Sequence, residues 1–79
     1  MEIRYSLSAL RALRRCNKRE LIERKIDQLA VAPETLAGNV KKLQGRPTSR
    51  LRVQDWRVVF RIQDGVLHVL EIGPRGSIY

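Results

Sequence analysis

The stretch SRLRVQDWRVVFR, residues 49–61, alternates apolar and basic residues on either side of Gln54-Asp55, the pattern of two half-buried strands joined by a tight turn. Asp64-Gly65 follows as a stronger turn signal, because both positions tolerate the positive φ of a type I′ hairpin. Strands are therefore expected over 50–53, 56–62 and 66–72. With two-residue loops in both hairpins, Val53 faces Trp56, Leu51 faces Val58, Phe60 faces Val69 and Ile62 faces Leu67. These residues then share the face that packs on the rest of the chain. The other face collects Arg50, Arg52, Arg57 and Arg61 with Val59, Val66, His68, Leu70 and Ile72, and sets Arg52 directly across from Arg57.

Such opposed like charges cost about 0.2–1 kcal/mol unless an anion lies between them, so the register suggests a phosphate site. The competing reading makes these arginines solvated gatekeepers against edge pairing, a role that suits Arg57 least because its strand is flanked on both sides. The tail IGPRGSIY adds Arg75 between Pro74 and Gly76 and ends in Tyr79, whose ring either stacks on a base or packs on its own domain.

Working toward the N-terminus, residues 33–48 are punctuated by Pro33, Gly38, Gly45 and Pro47, with Leu36, Val40 and Leu43 as apolar anchors. This reads as a surface loop or a partner-binding segment. Before it, Leu21, Ile22, Ile26, Leu29 and Ala30 recur at helical spacing after an Asn17–Glu20 capping box. An earlier helix, capped by Ser6, directs Leu7, Leu10 and Leu13 inward and Arg11, Arg14 and Arg15 outward. Residues 2–5 make a short strand. The expected fold is α+β: an N-terminal strand and a helical hairpin packed on one face of a small, mainly antiparallel four-stranded sheet, one domain over residues 1–79.

Sixteen basic against eight acidic residues give a net charge of +8. Twelve of the sixteen are Arg, whose planar fork matches phosphate, so polyanions are the first partners to consider. Cys16 is the sole cysteine and reads as a small buried apolar residue; it rules out an intrachain disulfide and a Cys-based metal cluster. His68 is the sole histidine, which excludes a catalytic His pair. The scattered carboxylates Glu2, Glu20, Glu23, Asp27 and Glu34 form no cluster for Mg-dependent chemistry, so no metal or cofactor is expected. No apolar run is long enough for a signal peptide or a membrane span, and a cytoplasmic protein without membrane partners is expected.

IRYSLSALRAL at the start, NVKKLQGRP in the middle, RLRVQDWRVVFRIQDGVLHVLEIGPR and the final Tyr together resemble the RelE/ParE superfamily of bacterial type II toxins, in particular its RelE-like mRNA endonucleases. The resemblance implies a ribosome-dependent endoribonuclease that works without a metal. A ribose 2′-hydroxyl attacks the adjacent phosphate, leaving a cyclic phosphate and a free 5′-hydroxyl. It assigns Arg52, Arg57, Arg75 and Tyr79 to the catalytic site. Arg50, Arg61, Lys41, Lys42 and Arg46 are the expected RNA or phosphate contacts. Relatives often carry Lys on the first arginine strand, which can lose its proton when crowded; Arg52 in that place is suited to orienting and polarising the hydroxyl. Implied partners are a cognate antitoxin encoded by an adjacent gene, the ribosome with its mRNA, and operator DNA only through the antitoxin complex. A patch of Val59, Leu70 and Ile72 is the expected antitoxin surface. ParE-like gyrase inhibitors share the architecture, so a non-enzymatic gyrase inhibitor is the alternative, with a degenerate toxin that only binds antitoxin and DNA as a third.

Overall fold

The computed structural model describes residues 1–77, in the order β1 (Glu2–Tyr5), α1 (Leu7–Arg15), α2 (Arg19–Val31), a 3₁₀ helix (Pro33–Asn39), β2 (Val40–Lys42), β3 (Ser49–Val53), β4 (Trp56–Gln63) and β5 (Val66–Pro74). The α+β class holds, but the sheet has five strands, in the order β1-β5-β4-β3-β2. β1 runs parallel to β5, and the remaining pairs are antiparallel. The added strand comes from the segment read as a loop. Pro33 opens the 3₁₀ turn, Leu36 anchors it in the core, and Val40–Lys42 then pairs with β3. Three residues are too few to show period-two alternation, which is why this strand left no signal in sequence.

The hairpin register is as expected: Val53–Trp56, Leu51–Val58 and Arg52–Arg57 pair across β3 and β4, and Phe60–Val69 and Ile62–Leu67 pair across β4 and β5. Asp64 (φ 53°) and Gly65 (φ 74°) both lie in the left-handed region, as a type I′ turn requires. In the β3–β4 turn only Gln54 does, at φ 55°. Leu51, Val53, Val58, Phe60, Leu67 and Val69 are buried against Ala9 and Leu13 of α1 and Ile22, Ile26, Leu29 and Ala30 of α2. Ile62 belongs to the same face but reaches past the helices and is 45% exposed.

Three local expectations change. A bulge lets the pairing jump from Val59–Glu71 to Phe60–Val69, skipping Leu70 and reversing the parity of β5 beyond it. Ile72 therefore faces Val58 in the core instead of the arginine face. Val59 is itself 6% exposed, so of the expected apolar patch only Leu70 remains partly open. In α1 the buried pair is Ala9 and Leu13, with Leu7 63% and Leu10 39% exposed, because the small Ala9 side chain admits the helix close to the sheet. Lys18 takes the N-cap position of α2 with no side-chain cap, so the Asn17–Glu20 box does not define that helix start. Instead the Lys18 N–H donates to Sγ of the buried Cys16 at 3.3 Å.

Ser6 caps α1 as expected. Its Oγ accepts from the Ala9 N–H at 3.0 Å and donates to the Leu70 carbonyl at 2.6 Å, joining the helix start to the bulge. No helix of the described residues is long and apolar enough to cross a membrane.

A candidate phosphate-binding cleft

Strand parity decides which cations meet. On β3 and β4 the core positions are Leu51, Val53, Val58 and Phe60, so Arg50, Arg52, Arg57 and Arg61 project from the opposite face. β2 continues the rule: Lys41 pairs with Arg50 and joins them, whereas Lys42 pairs with Ser49 and falls on the helix-covered side. The tail enters by a backbone bond, the Arg75 N–H donating to the Asp55 carbonyl at 2.7 Å, which holds Arg75 beside the β3–β4 turn.

The outcome is a cleft of about 190 Å³ lined by Gly38, Asn39, Val40, Lys41, Arg50, Arg52 and Arg57. At its centre is Arg57, half-buried on an interior strand. Its Nη1 donates to the carbonyls of Gln54 at 2.8 Å and of Trp56 at 2.9 Å, which directs the guanidinium back over the turn. Desolvation lowers the Arg57 pKa most, followed by the positive charges of Arg50, Arg75 and Arg52; Asp55 is the single opposing influence. Three neighbouring guanidiniums thus bear on Arg57. The described ion pairs, Arg4–Glu2 and Arg19–Glu23, lie elsewhere, so no described carboxylate is in ion-pair contact with the cluster, and Asp55 offsets its charge only in part. Preorganised, uncompensated donors of this kind stabilise an anion and cost the empty protein stability. The gatekeeper reading loses ground as well, because β2 makes β3 an interior strand.

The structure therefore brings together Arg50, Arg52, Arg57, Arg75 and Lys41. Arg61 shares their face, farther along β4 and across from His68. Lys42 lies on the other face. Arg46 sits in the β2–β3 connection, lining a separate depression with Lys42, Leu43, Gln44, Gly45 and Pro47. Tyr79 lies outside the described residues. Gly38 and Asn39 were not singled out in the sequence; they reach the cleft because the 3₁₀ helix ends where β2 pairs with β3, and the Gly38 punctuation was the one hint. Among the described residues no group of His, Cys, Asp and Glu could hold a metal ion.

The α+β fold, with two helices over one face of the sheet, is that of the small RelE/ParE toxins. A family model described as the ParE toxin of the type II toxin–antitoxin system, parDE, matches residues 3–79, and the chain belongs to that family. Among solved structures it is similar to a chain of the archaeal RelE–RelB complex from Pyrococcus horikoshii OT3, with 25% identity over 95% of this chain and 94% of that one and a TM-score of 0.79. It is also similar to a chain of the intact E. coli RelBE toxin–antitoxin complex, with 22% identity, coverage of 92% and 94% and a TM-score of 0.76. YafQ from E. coli strain BL21(DE3) matches at 16% identity, coverage of 99% and 97% and a TM-score of 0.81. No curated protein sequence gave a match. The chain is the toxin component of a type II toxin–antitoxin system.

Proposed function

We propose that this toxin is a metal-independent endoribonuclease that cleaves translated mRNA on the ribosome, using the arginine cleft to hold the scissile phosphate. The observation that carries the proposal is the convergence of Arg50, Arg52 and Arg75 on Arg57 with no described carboxylate in ion-pair contact. Transfer of the phosphate to a 2′-hydroxyl builds extra charge on its oxygens. Arg57, held by two carbonyls, and Arg75, tethered to Asp55, are suited to bind that charge as it develops. Arg52 is suited to polarise the attacking hydroxyl; Tyr79, outside the described residues, is carried over from the resemblance as a further catalytic candidate. Lys41, Arg50 and Arg61 extend the cationic face for flanking phosphates. Guanidiniums do not give up their protons near neutrality, so the rate rests on positioning and charge stabilisation, with the ribosome fixing the substrate pose. RelE of Pyrococcus horikoshii and the toxin of E. coli RelBE were solved in complexes with their antitoxins, and a cognate antitoxin is the partner proposed here.

The test adds purified protein to programmed ribosomes and maps mRNA 5′ ends. New ends within translated codons, carrying free 5′-hydroxyls, are the expected result. The second reading, inhibition of DNA gyrase without catalysis, is favoured by the ParE description of the matching family. It predicts intact mRNA and loss of supercoiling in a purified gyrase assay.

A further inference from the structure

Helix α1 carries apolar surface that its own domain leaves uncovered. Leu7 is 63% and Leu10 39% exposed, and each is followed four residues later by an exposed arginine, Arg11 and Arg14, so leucines and arginines share one outward stripe. Arg11, Arg14 and Arg15 are the charged residues of α1, with no acid among them. On α2 the acids Glu20, Glu23 and Asp27 recur at spacings of three and four, which makes a stripe of the opposite sign. Between the two helices lies a groove of about 390 Å³, lined by Leu10, Leu13 and Arg14 from α1 and by Arg19, Glu20 and Glu23 from α2. Leu13 is nearly covered and forms its floor. Among the described residues no ion pair bridges the two rims: Arg19 pairs with Glu23 along α2, which leaves Arg14 and Glu20 as opposite charges held apart across an apolar floor.

We infer that this groove seats an amphipathic helix of the antitoxin, apolar toward Leu7 and Leu10, acidic on the flank that meets Arg11 and Arg14, and basic on the flank that meets Glu20; the inference rests on the antitoxin partnership proposed above. A third helix packs into the groove between two others by the same ridge-and-groove rule that joins any helix pair. Opposite rims fix which way round it lies, because the reversed orientation sets like charges against each other. A nucleic acid is a poor occupant, since Glu20 and the leucines offer nothing to a phosphate. A second copy of the chain brings a further net charge of +8, which opposes self-association. The apolar depression of about 430 Å³ beside Ile62 has Glu34 as its one charged lining residue and so lacks this two-signed frame. The arginine cleft lies on the far face of the sheet, so the docked helix anchors the antitoxin without itself filling the cleft.

The experiment measures, by titration calorimetry, the affinity of the purified product of the adjacent gene for the full-length toxin and its variants. Leu7→Gln and Leu10→Gln are each expected to weaken binding about 10–100-fold, the worth of burying one leucine side chain. Arg14→Glu and Glu20→Lys should each weaken it about tenfold in low salt, with the loss shrinking in 1 M NaCl. Glu20→Lys is the sharper of the two, because it makes the toxin more basic: general attraction to an acidic partner would strengthen binding, and that result would overturn the two-signed groove. All four positions are exposed, so the variants should melt near the wild-type temperature, and weaker binding would not reflect misfolding. Ile62→Gln should bind as the wild type does; loss in that variant with full binding by the four groove variants would also overturn the site. Sedimentation of the toxin alone should show a monomer, and a dimer abolished by Leu10→Gln would give the groove to a second copy instead. A wild-type toxin that ignores the adjacent-gene product would defeat the antitoxin partnership and the groove with it, whereas full binding by every groove variant would defeat the groove alone.

Discussion

Replacing Arg52 with Gln should make the protein more stable while making it a poorer ligand for RNA. Arg52 lies directly opposite Arg57, and Arg50 and Arg75 also bear on Arg57, so the empty protein holds four like charges together. A directly opposed like-charge pair costs about 0.2–1 kcal/mol, and solvent screening at the exposed Arg52 favours the lower half of that range. For a domain of this size about 1 kcal/mol moves the melting temperature by about 4–8 °C, so the variant should gain about 1–4 °C in low salt. The gain should shrink in 1 M NaCl, where the screening length falls to about 3 Å. Titration offers no such handle. A base whose folded pKa is lowered is destabilising throughout the pH range below that pKa, and relief comes only as pH rises through it, which for Arg57 means strongly alkaline solution. Thermal denaturation followed by circular dichroism, at low and high salt, measures the effect. A lower melting temperature that is independent of salt would mean that Arg52 is a structural residue and that its charge does not strain the cleft.

Three further outcomes follow from the fold. Ile26→Ala, at a fully buried position where α2 meets the sheet, should cost about 2–5 kcal/mol and leave much of the chain unfolded at 37 °C, as urea titration would report. Gln54→Gly should raise the urea midpoint by relieving a left-handed backbone that costs a non-glycine residue about 1 kcal/mol; since Arg57 bonds the Gln54 carbonyl and not its side chain, RNA affinity should be unchanged. Ser6→Ala should cost about 1–2 kcal/mol in the same titration, because one hydroxyl serves both the α1 cap and the Leu70 carbonyl.

What could be read in sequence was what local chemistry dictates. Period-two alternation and Asp64-Gly65 determine the pairing of β3, β4 and the start of β5 as far as Val69, and with it the opposition of Arg52 and Arg57. The bulge at Leu70 has no such local marker: the chain there reads as an unbroken strand, and the extra residue is accommodated where Ser6 bonds the Leu70 carbonyl, a contact 64 residues apart. Missing it put Ile72 on the wrong face. The split between Lys41 and Lys42 was hidden for a related reason, since the parity of β2 is visible only once its partner on β3 is known. The clustering of Arg75 with Arg57, by contrast, was legible only through resemblance, since a backbone bond to Asp55 places it.

The most direct test of the cleft is the single-turnover rate of mRNA cleavage on programmed ribosomes for the wild type, Arg57→Ala, Arg75→Ala and Lys42→Ala. Loss of one preorganised donor to a developing phosphate charge should slow the two arginine variants about 10²–10³-fold, while Lys42→Ala, on the helix-covered face, keeps the wild-type rate. Equal rates for all four proteins would contradict the assignment of this face to catalysis.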